Sequence, residues 1–414
     1  MAKRLKILIS AYACSPNRGS EPGVGWGFIH ALAAHHDLWI LTEQGGFQDE
    51  IERYLENNPD FAAKVHFFII QKQSNPLLRK IWPPSYYWYY KKWHLQAYEK
   101  ALQLHKEIHF DVAHQLTMVG FREPGYLWKL KIPFVWGPIG GMGYFPLRFL
   151  PVVGIKGVMY YLAYNCINFF HSHFLKRPRV AAQKAKHGLI CATLENQHKA
   201  LRIWGCKSTM ITEVGLPCPI RAQPTLRGKN TTLQIVWTGV HIPRKALNLA
   251  LKGLSLLGND VKWQLNILGK GEKTEEWKQR AIQLGINKRC RFYGWLPRQE
   301  ALNIMQTGHI LLITSLRDLT STVTIEALAL GLPIICLDHC GFSHVVTPSC
   351  GITIPVTSPK QVAIDISKTI SQIWADEPWR QELAHGALAR AGDFSWDKKA
   401  EQVNILYKKV MSTY

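Results

Sequence analysis

Acidic residues are scarce in this sequence. Its 414 residues include 29 Asp and Glu against 50 Lys and Arg, which gives a formal net charge of +21. No Asp or Glu occurs between residues 61 and 98, or between residues 124 and 194. A surface this basic attracts phosphorylated substrates, anionic lipid headgroups or nucleic acid. Nucleic acid is not an expected partner, because no recognised nucleic-acid-binding motif accompanies the charge.

Cysteine pairs and metal-ligand patterns are also missing. The nine cysteines include no Cys-x-x-Cys pair, and Cys336 and Cys340 are the closest two. The sequence has no Asp-x-Asp motif, and its histidines show no ligand spacing with carboxylates. We therefore expect reduced thiols in a cytoplasmic compartment, and neither a metal ion nor another cofactor.

Long hydrophobic runs are few. Residues 5–12 are too short for a signal peptide and are predicted to form a first buried strand. Residues 149–170 approach the length of a membrane span, but proline, glycine and asparagine interrupt them. Aromatic and basic residues alternate in residues 77–93, which favours a peripheral face on the cytoplasmic side of an anionic membrane. The alternative is a buried helix pair and a basic surface with no lipid role.

Two series of alternating strand and helix patterns divide the chain. The first occupies residues 1–216 and the second residues 230–395, and the proline-containing segment 217–229 is predicted to be a linker. Residues 396–414 are predicted to form a final helix. Such alternation indicates parallel sheets with helices on both faces. The expected α/β fold is therefore two doubly wound, Rossmann-like domains.

Residues 315–333 are the most informative segment. Asp318 and Glu326 lie eight residues apart across a predicted strand-to-helix junction. Between them are three candidate helix N-cap residues, Thr320, Ser321 and Thr322. A helix N-terminus favours a phosphate, and carboxylates on either side can bind hydroxyls of two sugar rings. The pattern thus predicts a nucleotide-sugar site, although an ordinary capped helix with one solvated Glu is the alternative.

This segment resembles the signature of the family-4 retaining glycosyltransferases (glycosyl transferases group 1). There, two acidic residues separated by seven others precede an Ala-Leu/Met-Ala-x-Gly-x-Pro run; here Asp318 stands where Glu is usual. The resemblance implies the GT-B fold, in which two Rossmann-like domains face each other across a cleft and the last helix crosses back onto the first domain. It also implies that Asp318 holds the hydroxyls of the donor sugar and that Glu326 holds the ribose.

The segment after the first strand of the second series also matches the family. The family pattern has Gly-Arg and then a Lys five or six residues later, both cations binding the diphosphate. Gly239 and Lys245 fit this pattern, but Val240 occupies the arginine position. Arg244 or His241 could replace the missing cation, while a solvated Arg244 is the more ordinary alternative.

Further residues are implicated by the same resemblance. Residues 294–297 match the loop along the nucleobase, which makes the backbone groups of Trp295 and Leu296 candidate base contacts. The glycine-rich loop at residues 13–27 would close over the donor diphosphate and would place Gly23 and Gly25 there. Glycines also simply turn the chain, so this loop alone is weak evidence.

His114 ends a predicted strand at the position where the family has a histidine facing the donor. The alternative is a histidine whose hydrogen bonds are satisfied within the strand end. Gly140 and Gly141 follow the next strand and are candidate acceptor-binding residues, or simple turn residues.

These expectations combine into one hypothesis. The chain is expected to be a metal-independent, retaining hexosyltransferase that uses a UDP- or GDP-linked sugar. Its acceptor would be a lipid-linked molecule or a saccharide in the synthesis of envelope or extracellular polysaccharide. The alternative, suggested by Val240 and Asp318, is a non-catalytic protein of the same fold that binds nucleotide sugar or membrane.

Overall fold

The computed structural model describes residues 4–73, 75–81, 85–217, 223–228 and 231–414. The chain forms two compact units. Unit 1 consists of Met1–Met142, Phe169–Gly215 and Trp396–Tyr414, and unit 2 consists of Gly143–Asn168 and Leu216–Ser395. Gly143–Asn168, which the sequence pattern placed in the first domain, therefore belongs to unit 2. Part of the predicted linker 217–229 lies outside the described residues.

Thirteen strands are present in the described residues. They are β1 (Lys6–Ala11), β2 (Asp37–Glu43), β3 (Val65–Ile70), β4 (Val112–Thr117), β5 (Phe134–Ile139), β6 (Leu189–Cys191), β7 (Thr209–Met210), β8 (Leu233–Thr238), β9 (Trp263–Leu268), β10 (Cys290–Gly294), β11 (Ile310–Ile313), β12 (Ile334–Leu337) and β13 (Gly351–Ile354).

The described part of the chain also contains sixteen α-helices. They are α1 (Ser20–Ala33), α2 (Gln48–Asn57), α3 (Pro59–Ala62), α4 (Pro76–Ile81), α5 (Ser85–Ile108), α6 (Gly154–Phe174), α7 (Lys176–Lys184), α8 (Leu194–Trp204), α9 (Leu247–Leu254), α10 (Thr274–Gln283), α11 (Arg298–Gln306), α12 (Thr322–Ala329), α13 (Phe342–Val345), α14 (Pro359–Ala375), α15 (Glu377–Ala391) and α16 (Trp396–Ser412).

Unit 1 is built on a seven-stranded parallel sheet in the order β3-β2-β1-β4-β5-β6-β7. Every residue of β4 and β5 is buried, as expected for central strands covered by helices on both faces. The strand order reverses between β1 and β4, so the switch point of this sheet lies there.

Residues 124–129 form no α-helix. Only a 3-10 turn, Leu127–Lys129, is present, and Gly125 adopts a left-handed φ of +61°. Pro124 disfavours helical geometry in the residue before it, and a left-handed glycine interrupts helical hydrogen bonding after it.

The final helix α16 packs within unit 1. A Cβ on Gly27 would lie 2.2 Å from the Trp396 ring, and one on Gly215 would lie 2.5 Å from it. The Trp396 and Phe28 rings meet edge to face with centroids 5.2 Å apart. The two glycines thus leave space for the indole at the start of α16.

Unit 2 is built on a six-stranded parallel sheet in the order β10-β9-β8-β11-β12-β13. Its core contains three fully buried tryptophans, Trp237, Trp263 and Trp277, together with aliphatic side chains of α9 and α14. The strand order reverses between β8 and β11. Loops that follow these two strands therefore meet at the switch point, where open α/β sheets bind ligands.

Helix α6 is the long apolar helix predicted near residues 149–170. Neither α6 nor any other helix in the described ranges combines the length and hydropathy needed to cross a membrane.

Candidate functional site

Three charged side chains converge at the switch point of unit 2. Lys245 follows β8, Asp318 follows β11, and the Lys245 Nζ lies 2.5 Å from the Asp318 Oδ2. The Arg244 Nη1 lies 3.2 Å from the same oxygen. Because β8 and β11 are neighbours whose carboxyl ends share one edge, residues 73 positions apart in sequence form one cluster.

The Asp318 carboxylate is held in its ionised form. Burial raises its pKa, but the neighbouring Lys245 and Arg244 charges and hydrogen bonds outweigh burial, so the pKa lies below its ordinary value. The other oxygen, Oδ1, accepts a hydrogen bond from the Leu319 N–H at 3.1 Å. The backbone N–H of Asp318 donates to the Cys340 Sγ at 3.1 Å. One carboxylate between two cations leaves excess positive charge, which favours an anionic ligand.

The family pattern has an arginine at position 240, where this chain has Val240, and the nearby Arg244 supplies a cation to the same cluster. Val240 is partly exposed, whereas Arg244 reaches Asp318 and donates to the Arg317 carbonyl at 2.6 Å. His241 is fully buried, with its Nδ1 2.9 Å from the Thr274 Oγ1. Of the two candidate replacements, Arg244 is the one that contacts Asp318, with its side chain 28% exposed, and its role towards a diphosphate stays a prediction.

Glycines bring the loops after β8, β9 and β10 into contact. Gly269 has a φ of +111°, and a Cβ there would lie 2.0 Å from the Gly239 carbonyl oxygen. The Gly269 N–H donates to the Gly294 carbonyl at 2.8 Å, and Gly294 has a φ of +75°. The aliphatic part of Lys245 lies against Gly239, where a Cβ would be 3.5 Å from the Lys245 Cε. These positions place Lys245 close to bare backbone, as a phosphate-binding loop requires.

The start of α12 differs from the predicted capping arrangement. Ser321 is the N-cap residue, with a φ of 66°, but its side chain makes no capping hydrogen bond. Thr320 is buried and its carbonyl accepts a hydrogen bond from the Thr324 hydroxyl at 2.7 Å, while Thr322 is the first helical residue. The Thr320 hydroxyl packs so closely on Gly341 that a Cβ there would lie 2.7 Å away. Ser321 thus occupies the N-cap position without a side-chain cap, and Thr320 contacts both Thr324 and Gly341 at this turn.

Glu326 is tied to the loop predicted to lie along a nucleobase. Its Oε1 accepts hydrogen bonds from the Arg298 Nη2 at 2.6 Å and Nε at 3.0 Å. Arg298 begins α11, directly after residues 294–297, in which Trp295 is 73% exposed and Leu296 is half-buried. Sequence reasoning missed Arg298; its position directly after the matched loop was the available signal.

His114 is placed differently from the other candidates. The imidazole is fully buried in β4, with its Nδ1 2.7 Å from the Tyr407 hydroxyl and its Nε2 2.8 Å from the Gly137 carbonyl oxygen. Burial lowers its pKa to about 4, although the Gly137 hydrogen bond partly opposes the shift. The ring is neutral and both nitrogens are engaged within unit 1. This geometry is the one expected for the alternative considered for His114, a histidine whose hydrogen bonds are satisfied within the fold, and its role towards a donor stays a prediction.

The glycines predicted to line a ligand in unit 1 lie in closely packed surroundings. Gly23 and Gly25 lie inside α1, where a Cβ would be 2.6 Å from the Arg18 carbonyl oxygen and 2.4 Å from the Ala13 carbonyl oxygen, respectively. The helix begins at Ser20, earlier than the predicted loop allowed, so these glycines hold the preceding loop against the helix.

The two candidate acceptor-binding glycines follow β5. The Gly140 N–H donates to the Val119 carbonyl at 2.6 Å, and its carbonyl accepts from the Phe121 N–H at 3.1 Å. Gly141 is half-buried and turns the chain with a φ of +82°. The Gly140 backbone groups are therefore used within unit 1.

In the part of the chain that the structure describes, no three His, Cys, Asp or Glu side chains lie close enough together to hold a metal ion.

Comparisons with known proteins agree with the geometry of unit 2. Residues 222–387 match the family described as Glycosyl transferases group 1. A D-inositol 3-phosphate glycosyltransferase of Corynebacterium efficiens is 26% identical over 161 residues. That alignment covers 37% of this chain and 37% of the relative, so this chain spans less than half the length of that protein.

Two solved structures are similar over nearly the whole chain. The lipopolysaccharide outer core galactosyltransferase WaaB has a TM-score of 0.64 at 15% identity, covering 97% of this chain and 99% of its own. The HepE protein of Anabaena, solved in complex with UDP, has a TM-score of 0.62 at 15% identity, covering 99% and 100%. At these identities the likeness shows the fold alone. The expected GT-B fold, with two Rossmann-like domains, is confirmed.

Proposed function

Because residues 222–387 form a glycosyl transferases group 1 domain, we propose that this chain is a retaining glycosyltransferase of family 4. It moves a hexose from a UDP- or GDP-linked sugar to a lipid-linked or saccharide acceptor, without a metal ion. The observation that carries the proposal is the cluster of Lys245, Arg244 and Asp318 at the switch point of unit 2.

The cations of the cluster serve the diphosphate. When the bond between the anomeric carbon and the phosphate oxygen breaks, negative charge grows on that oxygen. Lys245, Arg244 and the first-turn amides of α12 are placed to stabilise it. A preorganised donor in such a site contributes about 3–4 kcal/mol of transition-state stabilisation. This charge supply does the work that a metal ion would otherwise do.

The two carboxylates bind sugar hydroxyls in this proposal. Asp318 is fixed by Lys245 on one oxygen and by the Leu319 N–H on the other, so it can orient a hydroxyl of the donor sugar. Glu326 accepts two hydrogen bonds from Arg298 on Oε1, and in this proposal its carboxylate binds a ribose hydroxyl beside the Arg298 loop.

The retaining course is proposed from the resemblance to the family-4 enzymes, and the step is written without a protein nucleophile. Asp318 is already engaged by two cations, which makes it a poor attacking group. In the proposed step the acceptor oxygen bonds to the anomeric carbon on the face from which the phosphate leaves. The leaving phosphate oxygen accepts the proton of the acceptor hydroxyl, so the configuration is retained.

The proposed setting is the cytoplasmic face of an anionic membrane during the synthesis of envelope or extracellular polysaccharide. Support comes from the acid-free basic segments and from the exposed apolar side chains of α6. The names of the similar proteins include a phosphorylated acceptor and a lipopolysaccharide. Sedimentation with anionic vesicles at low and high salt tests this setting; binding that is absent or insensitive to salt refutes it.

Thermal unfolding tests the donor site. We expect one of UDP, GDP or ADP, or its hexose conjugate, to raise the melting temperature equally with and without EDTA. A ligand at a hundred times its Kd adds about 2.7 kcal/mol, which shifts the midpoint by several degrees. No shift with any nucleotide would refute the proposal, and a shift abolished by EDTA would refute its metal independence.

A second candidate function is nucleotide-sugar binding without turnover. It is favoured by Val240 and Asp318, which stand where the family pattern has Arg and Glu. Under this candidate the wild-type chain binds nucleotide but transfers nothing, and the double substitution Val240→Arg with Asp318→Glu creates activity. Turnover by the wild-type chain that is lost in Lys245→Ala rejects it.

A further inference from the structure

A cavity of about 810 Å³ opens in unit 2 between the first turns of α6, the segment that carries Arg244, and the start of α10. This volume falls in the range of small-ligand sites. Its charged lining residues are Lys156, Arg244, Lys273, Arg317, Glu272 and Glu276. Lys273 and Glu276 form an ion pair at 2.5 Å. Arg244 also contacts Asp318, so Lys156 and Arg317 are the cations left to face Glu272, and the cavity favours an anion.

The cations around this cavity are held in place. The Arg244 Nη1 donates to the Arg317 carbonyl at 2.6 Å, and the Arg317 guanidinium lies 3.7 Å from the centre of the Tyr164 ring. The Tyr161 side chain is buried and stacks on Phe145 with centroids 4.1 Å apart, which fixes this turn of α6. Cations whose positions are set before binding lose little entropy when an anion arrives.

The beginning of α6 adds to the positive field. Residues Ile155, Lys156 and Gly157 line the cavity and form the first turn, whose amides have no acceptor within their own helix. The Lys273 ammonium lies close by, since a Cβ on Gly154 would be 3.8 Å from its Nζ. A phosphate in the cavity would therefore meet the positive end of a 21-residue helix as well as side-chain cations.

One face of the same helix is apolar and exposed. Ile155 is 83% exposed and Met159 is 69% exposed, and both belong to unit 2. Exposed residues continue at helical spacing along this face; they are Ile155, Met159, Leu162, Ala163, Cys166 and Ile167. A stripe of this kind normally marks a contact with another molecule or with lipid. It begins at Ile155, which also lines the cavity.

We propose that the cavity binds the phosphate of an amphiphilic acceptor whose hydrocarbon chain lies along the exposed α6 face. Charge complementarity favours a lipid phosphate over a second copy of this basic chain, because an anionic head and an apolar tail match the two adjoining surfaces. The inference rests on the proposed function and names the acceptor class for it. Arg244 lines the cavity and also contacts Asp318, so a phosphate held there places its attached hydroxyl beside the donor site.

The first test measures sedimentation of the intact chain with vesicles of neutral phospholipid, with and without a phosphomonoester lipid. We expect Lys156→Glu to weaken binding to the phosphate-bearing vesicles about tenfold, since each basic residue near an anionic surface contributes on that scale. Met159→Asp is expected to weaken it further. The matched controls, Lys252→Glu and Ile282→Asp, change an exposed cation on α9 and an exposed apolar residue on α10 outside the cavity. Equal losses in variants and controls overturn the proposal.

The second test separates a lipid phosphate from free phosphate. Dodecyl phosphate, inorganic phosphate and a neutral dodecyl glycoside are each titrated against the wild-type chain and Lys156→Glu. We expect Lys156-dependent binding of dodecyl phosphate at least tenfold tighter than that of inorganic phosphate, and weak binding of the glycoside. Equal affinity for the two phosphates overturns the assignment of the tail to α6.

A third measurement, of nucleotide binding, tests the proposed function separately from this inference. The thermal shift with UDP or GDP is measured in the same variants, and Lys156→Glu is expected to retain it. A chain that binds dodecyl phosphate but shows no nucleotide shift refutes the glycosyltransferase proposal, whereas a nucleotide shift without dodecyl phosphate binding refutes the acceptor inference.

Discussion

Replacing Lys245 with alanine separates the two roles of the cluster at the switch point. In the wild-type chain the Lys245 Nζ lies 2.5 Å from the Asp318 Oδ2, and the Lys245 side chain is largely buried. The substitution leaves the Asp318 carboxylate with Arg244 at 3.2 Å as its remaining cation. It also removes the charge proposed to stabilise the leaving diphosphate.

The two losses have different expected sizes. A buried charge that loses one of two partners costs roughly 1–3 kcal/mol of stability. For a unit of this size, about 2–4 °C of melting temperature corresponds to each kcal/mol, so a decrease of roughly 2–12 °C is expected. Loss of one preorganised donor to a developing anion lowers kcat/KM about 10²- to 10³-fold.

A double substitution distinguishes these effects. In Lys245→Ala with Asp318→Asn, the carboxylate that retains only Arg244 becomes a neutral amide, so the melting temperature is expected to recover towards the wild-type value. Sugar transfer is expected to stay at the level of Lys245→Ala or below. The assay is transfer or hydrolysis of the nucleotide sugar, followed as nucleoside diphosphate release, beside thermal unfolding of each variant. A kcat/KM within threefold of wild type in folded Lys245→Ala refutes the assigned role.

Three further substitutions test other features of the chain, namely the second cation, a close backbone approach and a buried histidine. Arg244→Ala should lower kcat/KM about thirtyfold, and adding Val240→Arg, but not Val240→Gln, should restore it to within about threefold, because the charge matters more than the position that supplies it; equal effects of Arg and Gln would contradict this. Gly269→Ala should lower the melting temperature by several degrees, because its Cβ would lie 2.0 Å from the Gly239 oxygen. The control Gly285→Ala, with a φ of +71° and open space, should cost about 1 kcal/mol; a similar loss in both variants would contradict the close approach. His114→Gln should remove a rise in stability of roughly 3 kcal/mol between pH 4 and 6.5, measured by urea unfolding. The sign follows because the native pKa of His114 is lowered to about 4, so in this window the unfolded chain binds more protons and stability increases with pH; an unchanged slope would refute burial of a neutral ring.

Local patterns predicted most of the fold. The strand positions follow from short apolar runs, and parallel pairing follows from their alternation with helices. The segment 143–168 was assigned to the wrong unit, because the sequence contains no signal there for a change of unit. Its placement depends on contacts such as the Arg317 guanidinium over the Tyr164 ring and the Asn248 amide with the Val152 carbonyl at 2.8 Å. These pairs are side-chain contacts across the fold, which no local periodicity encodes.

The site was predictable where one motif carries its chemistry. Lys245 and Asp318 were each identified from a local pattern, and the sheet order then brings them together. His114 and Gly25 had equally good local patterns, yet contacts with other segments of the chain determine their environments. Tyr407 of α16 engages His114, and the Ala13 carbonyl occupies the space beside Gly25. A sequence pattern therefore identifies a residue type at a strand end. It does not identify the groups that hydrogen-bond to that residue or fill the space beside it.

Position 240 shows why a departure from a family pattern need not remove the chemistry. Electrostatic stabilisation depends on where a charge lies relative to the developing anion and hardly on which backbone position carries the side chain. The 3-10 turn Pro243–Lys245 follows Val240 and places Arg244 beside Lys245, so both side chains reach the same Asp318 oxygen. The Arg317 carbonyl then fixes the Arg244 guanidinium at 2.6 Å, as a dedicated ligand-binding side chain requires. A chain that binds nucleotide sugar without turnover would use the same two cations, so a measurement of turnover by the wild-type chain is what separates the two functions.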